Sequence, residues 1–523
     1  MAGTRPDGVG AVSWPFYVLT ALALSVGWGI RGNFGHEYGA MIPGALAATA
    51  VAILSGRDDW RRRAAYFAMF GALGWSFGGS ISYMQVIAYT HSGHSPSVLY
   101  GFAGLFVIGF LWAAPGGAGT AFAAFADRDR LAGVFAPLSA VFLVWALQGE
   151  AVEPWLARQG YSLNWYDTDW PGALSAPLAV LALATVRRRF DWGTGLVLWM
   201  AAGWWVGFLV LVNLLGLRMT PPRGDNWAGC LGMTVGLLLY LARTGFAPVA
   251  RAGLVCGFAG GVGFAAASML KLVEVTCGVE ANWHSILEQT TGLFNGLALA
   301  AALAGPARSA PSAADEGVPS RRWTEAYAVG FVLVLVTYLN LRKNAGEWVR
   351  VGAVPATMGG LSAGTWFNLG YAALAVAVLV PLFRHLRRPV ALVPIDPLGR
   401  AQLLFVVFLW WMTVGNFERA LVRFTGQRLV TEGVIAVNAA ACTLLALLAA
   451  VPTRVGPAHP ASGPVPRPRF GRLVAAGLTA AAVSVVVDWG VVRAIYGDRF
   501  AGHAKLHVRF GPQAAAANPG PTR

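Results

Sequence analysis

Charge is the scarcest feature of this chain. Only 12% of its 523 residues are Asp, Glu, Lys or Arg, roughly half the share of a soluble domain. That shortage excludes a chain built of ordinary soluble domains. Cysteine is also rare. Cys230, Cys256, Cys277 and Cys442 lie in or beside apolar runs, with neither zinc spacing nor a disulfide framework. No metal or other cofactor is expected. No G-x-x-x-x-G-K-[ST] sequence occurs, so the motif of an ATP-driven pump is missing. Nor is there an alternating ten-residue strand pattern, which sets aside a membrane β-barrel. The first apolar run, 14–30, ends in charged residues rather than small ones. It reads as a span that stays in place, not as a cleaved leader.

What is present is apolar sequence: 56% hydrophobic residues and a mean hydropathy of +0.57. Runs near the length needed to cross hydrocarbon recur throughout, and backbone in lipid must satisfy its own hydrogen bonds. The expected fold class is therefore an all-α polytopic integral membrane protein of about 14–15 transmembrane helices. The spans fall near 14–30, 40–55, 64–90, 98–125, 131–150, 173–186, 193–217, 227–242, 252–276, 285–304, 324–341, 366–383, 401–417, 432–451 and 473–490. The bilayer is the expected partner. Nucleic acid is not, because the net charge of +15 is divided among short loops.

Placing the N-terminus inside puts most of the 39 basic residues in inner loops, including Arg61, Arg128, Arg187, Arg321 and Arg387. This satisfies the positive-inside rule in a plasma or inner membrane and leaves the C-terminus outside. Two polar stretches divide the chain. Residues 305–322 read as a cytoplasmic linker after a ten-helix core, 1–304. A four-helix region, 323–451, follows; 452–523 holds a Pro-rich loop, the last helix and the tail. A parallel six-span repeat is expected within the core, relating 14–125 to 193–304. "VGWGIRGN" at 26 faces "AGWWVGFL" at 202, and "FGALGWSFGGS" at 70 faces "CGFAGGVGFAAAS" at 256. Chance likeness between glycine-rich helices is the competing explanation.

The inner loop "SGRDDWRRR" at 55–63 resembles the Gly–Asp–Arg-rich loop between spans two and three of major facilitator transporters. The resemblance covers about a dozen residues and implies a transporter built of six-span units. The number of spans and the polar break after the first depart from that plan.

Intramembrane polar residues are costly and usually face a cavity or one another. His284, Glu288, Thr291 and Asn295 are spaced four, three and four, on one helical face. A carboxylate with a histidine one turn above can bind or relay a proton; a polar seam between helices is the alternative. Lys271 and Glu274 form a second pair, three apart. The third span carries Ser76, Ser80 and Tyr83 on one side and Gln85 on the other. In the thirteenth, Thr413, Asn416, Arg419 and Arg423 share a face, and Glu418 points elsewhere. The stretch "GWGIRGNFGHEYGAMIPGAL" at 27–46 concentrates Arg31, Asn33, His36 and Glu37 among glycines at a hydrophobic boundary. A turn needs only glycine and something polar, so a broken element lining an outward cavity is expected here. The loop "RMTPPRGDNW" at 218–227 adds Arg223 and Asp225.

These residues point to a secondary transporter for a small polar solute, a sugar or organic anion, coupled to protons or sodium. Arg31, Asn33, Gln85, Arg223, Asp225 and Asn295 are the expected solute contacts. His36, Glu37, Lys271, Glu274, His284 and Glu288 are the expected coupling groups. The alternative is a membrane-embedded transferase acting at the outer leaflet on a lipid-linked sugar or acyl group. Its general base would be His36–Glu37 or His284 with Glu288, aided by Glu150, Glu153, Asp167 and Asp169.

Overall fold

The structure, a computed structural model, describes residues 12–35, 37–77, 83–166, 168–219, 225–309, 322–385, 388, 393–422, 425–449, 470–497 and 499. Helices α1 (Trp14–Phe34) and α2 (Glu37–Leu54) form the opening hairpin. Pro15 sits in the first turn of α1, where no amide partner is needed. At the other end Gly35 adopts φ +96° and its N–H reaches the Arg31 carbonyl at 3.1 Å. Only glycine takes that conformation without strain.

A short helix, α3 (Asp58–Arg61), leads into α4 (Ala64–Phe77) and α5 (Met84–Thr90). Next come α6 (Ser95–Phe125), α7 (Arg128–Leu147), α8 (Glu153–Arg158) and α9 (Trp170–Arg187). The chain continues through α10 (Trp192–Gly207), α11 (Asn226–Arg243), α12 (Ala247–Ala267), α13 (Met269–Cys277) and α14 (Trp283–Ser309). After it come α15 (Arg322–Gly330), α16 (Thr337–Arg350), α17 (Ala363–His385), α18 (Pro397–Leu421), α19 (Gly426–Leu447) and α20 (Phe470–Val491). Among the described residues the backbone widens into π-helical turns at four places, one of them Phe331–Val336 between α15 and α16. A two-residue hairpin, Thr357–Met358 with Leu361–Ser362, precedes α17.

Among the described residues, ten helices are long and apolar enough to cross a membrane. That is fewer than the 14–15 expected from sequence; the expected span 64–90, for one, holds two shorter helices, α4 and α5, with 78–82 outside the described residues. Two shifts of helix ends matter. α14 runs on to Ser309 through an Ala-rich stretch, so the expected linker begins inside a helix. α19 starts at Gly426 because the Thr425 hydroxyl accepts the Arg428 N–H at 3.2 Å, an N-cap. Glu432 therefore lies within the helix, not at its edge.

Small residues set the packing, as expected where lipid removes the hydrophobic drive between helices. Helix α1 lies at the centre, against α2, α14, α18 and α19. A Cβ at Gly292 of α14 would stand 2.6 Å from the Ser25 Cα of α1. The long helix α6 packs on α4 and α12, where a Cβ at Gly109 would stand 2.6 Å from the Gly260 carbonyl. On the periphery, α17 exposes Leu374, Val376, Val380 and Phe383, an apolar face suited to hydrocarbon.

The basic loop after α2 is partly interior. Arg63 is fully buried and donates to the Ala126 carbonyl at 2.7 Å, at the end of α6. Arg61 Nε donates to the Ile53 carbonyl at 3.1 Å, at the end of α2. Both cations sit where helix dipoles are negative.

Candidate functional site

The site grows from the last turn of α1 and the first turns of α14. Asn282 Oδ1 accepts the Ser285 N–H at 3.2 Å as α14 begins. That start fixes the phase of the helix and points Glu288 into the bundle. There Arg31 Nη1 meets Glu288 Oε1 at 2.5 Å, with both side chains only 2% exposed. The Tyr83 hydroxyl, just before α5, also donates to Glu288 Oε1, and Arg31 Nη1 reaches the same hydroxyl at 3.3 Å. His284, one turn above Glu288, places Nε2 3.6 Å from Oε1. Its ring stacks on Tyr83 with centroids 6.1 Å apart.

Aromatic rings enclose the guanidinium. Arg31 Cζ lies 4.9 Å from the Trp28 ring, 4.9 Å from Trp112 and 5.5 Å from Tyr83. Trp75 packs edge-on against Trp28 at 6.1 Å, and Phe264 of α12 contacts both Trp112 and Tyr83. Cation–π attraction in so dry a setting is worth about 2 kcal/mol or more. A cavity of about 190 Å³ opens beside the cluster, lined by Arg31, Gly32, Gly35, Tyr83, Met84 and His284.

Several buried polar atoms here have no hydrogen-bond partner among the described residues. They are the indole nitrogens of Trp28, Trp75 and Trp112, His284 Nδ1, Thr291 Oγ1 and both amide atoms of Asn295. Buried polar groups are normally satisfied, so the concentration of exceptions around one ion pair marks the place. Asn295 continues the stripe towards α12, where a Cβ at Gly260 would stand 2.7 Å from its Oδ1.

The same turn of α1 has a second face. Asn33 Nδ2 donates to Asn416 Oδ1 of α18 at 2.7 Å and lies 3.4 Å from Glu432 Oε1 of α19. Asn416 Nδ2 donates to the other Glu432 oxygen. Asn416 and Glu432 are buried. Close by, Lys343 of α16 donates to the Phe34 carbonyl, and Arg419 Nη1 donates to the Lys343 carbonyl at 3.0 Å. Glu418 does point away from this face, towards Asn344 Nδ2 at 2.9 Å and the Tyr371 hydroxyl at 3.1 Å.

The sequence-derived candidates thus sort into groups. Arg31, His284 and Glu288 converge on one point, with Asn295 on the same helix face. Asn33 turns to α18 and α19 instead. Lys271 Nζ and Glu274 Oε2 pair at 2.6 Å on α13, part-exposed. Asp225 is buried and bound to Arg218 Nε and the Met219 N–H, tying its loop together. His36 and Arg223 lie outside the described residues, as do the side chains of Glu37 and Gln85. Sequence reasoning missed Glu432 and Trp112. An acid inside an apolar run was a usable signal for the first. Trp112 falls midway along the expected span 98–125 rather than at an interface, and that position was the usable signal for the second.

Comparison of the chain with protein-family models, with curated proteins and with solved structures finds no match.

Proposed function

We propose that the protein is a multi-pass secondary transporter for a small polar solute bearing an acidic group, recognised at Arg31. The observation that carries this reading is the Arg31–Glu288 pair, buried among helices, caged by rings and beside a cavity. As a stabilising device such a pair is poor. Desolvating two charges costs several kcal/mol per ion, and apolar replacements often do as well. As a receptor it is apt. A guanidinium offers planar, two-pronged donors to a carboxylate or phosphate. The rings of Trp28, Trp112 and Tyr83 hold it in place whichever anion it faces.

In this reading Glu288 is the partner that solute replaces. His284, at 3.6 Å, is the cation Glu288 turns to when the histidine is protonated. The Tyr83 hydroxyl and the His284 ring, which line the cavity, are donors for the solute's remaining oxygens. Transport is driven by a proton or sodium gradient. About fifteen crossings, with the N-terminus inside and the C-terminus outside a plasma or inner membrane, complete the proposal. In the sequence of both 14–125 and 193–304, an apolar span, a polar Gly/Pro-containing stretch, a second span, a basic turn and a glycine-rich third span recur in the same order, which supports two parallel units.

The second reading, a transferase at the outer leaflet, draws on the same His284–Glu288 contact beside the cavity, an arrangement suited to a general base. One experiment separates the two. The protein is reconstituted in liposomes and given a mixed metabolite pool under an inward proton gradient, or a sodium gradient in parallel. Lumen and lipid are then compared with protein-free liposomes by mass spectrometry. Accumulation of an unaltered acidic solute, abolished when the gradient is collapsed, is the expected result. Chemically altered lipid or metabolite without accumulation overturns transport and establishes the transferase.

A further inference from the structure

We propose that Glu432, held between Asn33 and Asn416, is a proton-binding group of this protein, at a site separate from the Arg31–Glu288 pair. That the proton drives solute movement rests on the transport reading above; the binding itself does not. Glu432 is 1% exposed and sits about 9 Å into α19 at 1.5 Å per residue. Its carboxylate meets two amides, from Asn33 and Asn416, and no ion pair to it exists among the described residues. A buried acid between apolar helices is a functional group by default. It must be neutralised, matched by a cation, or left at high cost.

The charged groups that face it are committed elsewhere or stand off. From α1, Arg31 pairs with Glu288. From α18, Arg419 donates to the Lys343 carbonyl, and Glu418 is bound by Asn344 and Tyr371. From α2, the side chain of Glu37 lies outside the described residues. On α19 itself Arg428, one turn earlier and half-buried, acts on Glu432 through its charge, without a close ion pair to it among the described residues. No group of three or more His, Cys, Asp or Glu that could hold a metal ion occurs among the described residues. A hard metal cation is held by several oxygens, whereas the atoms that meet this carboxylate are amide nitrogens. A proton needs one oxygen, and Oε1, whose amide neighbour stands at 3.4 Å, is the less engaged of the two. Asn33 is half-buried, so the Asn33 side of the site is not sealed from solvent.

Infrared difference spectroscopy on the purified full chain, titrated across about pH 4 to 10, tests the site without any solute. A protonated-carboxyl band should appear in the wild type and be lost in Glu432→Gln; its persistence in that variant overturns the proposal. Should Glu432→Gln not fold, Glu432→Asp serves: its band must move relative to wild type, and an unmoved band overturns the proposal equally. In liposomes loaded with a pH dye, solute-driven acidification should fall roughly tenfold or more in the variant. Wild-type acidification in Glu432→Gln overturns the coupling role. A Glu432 band in a wild type that moves no solute would sink the transport reading and leave this site standing.

Discussion

Arg31 and Glu288 stand 257 positions apart in the chain and 2.5 Å apart in space, each almost fully buried. Breaking the pair from one side strands a charge. Arg31→Ala or Glu288→Ala is expected to destabilise the protein by about 3–5 kcal/mol, read as a lower thermal midpoint in detergent. The double change Arg31→Met with Glu288→Leu should restore most of that stability and none of the uptake. Recovery of both would show that the pair is only structural.

Arg31→Lys keeps the charge and loses the planar fork that lies between Trp28 and Trp112. Charge alone would leave uptake intact; recognition by the fork would not. Uptake is expected to fall about a hundredfold, equivalent to roughly 2.7 kcal/mol, with the thermal midpoint less affected. Equal uptake in initial-rate assays would set the fork argument aside.

Tyr83→Phe removes one hydroxyl from the Glu288 carboxylate and leaves the ring over Arg31. Loss of a hydrogen bond to a charged group costs about 1.5–3 kcal/mol. The variant should fold, with uptake reduced by one to two orders of magnitude on that scale. An unchanged rate would show that Glu288 does not need the hydroxyl for its role.

Helix contact supplies a structural prediction. At Gly292 an added methyl would meet the backbone of Ser25 and Leu24, whereas at Gly133 nothing lies within 4 Å. Gly292→Ala should cost about 1–3 kcal/mol. Gly133→Ala should be neutral or stabilise by about 0.5–1 kcal/mol. Thermal unfolding of both in the same detergent compares them directly, and equal midpoints would contradict the packing of α14 on α1.

The native thiols report orientation. Cys230, Cys256 and Cys442 are buried, and Cys277 at the end of α13 is exposed. With the N-terminus inside, Cys277 faces outwards, so an impermeant maleimide should label intact cells at that residue. Labelling only after lysis would invert the assignment.

Much of this could be read from the residues. Apolar runs locate the helices, and spacing alone aligns His284, Glu288, Thr291 and Asn295 on one face. Periodicity within one helix cannot say which other helix its polar face meets. That Arg31 answers Glu288, and Tyr83 completes the contact, depends on packing set by Gly292 and Ser25. Glu432 escaped for a local reason: the apolar run suggested a span beginning there, while the Thr425 cap starts the helix six residues earlier. Asn33 looked like a neighbour of Arg31 because it is one in sequence.

Two residues along an α-helix are turned by about 200°, so Arg31 and Asn33 leave α1 on nearly opposite sides. One engages Glu288 and the other Asn416 and Glu432. The last turn of α1 is thus an axle with two cranks. A sideways shift of that turn towards α14 lengthens its contacts to α18 and α19, and the reverse shift pulls Arg31 from Glu288.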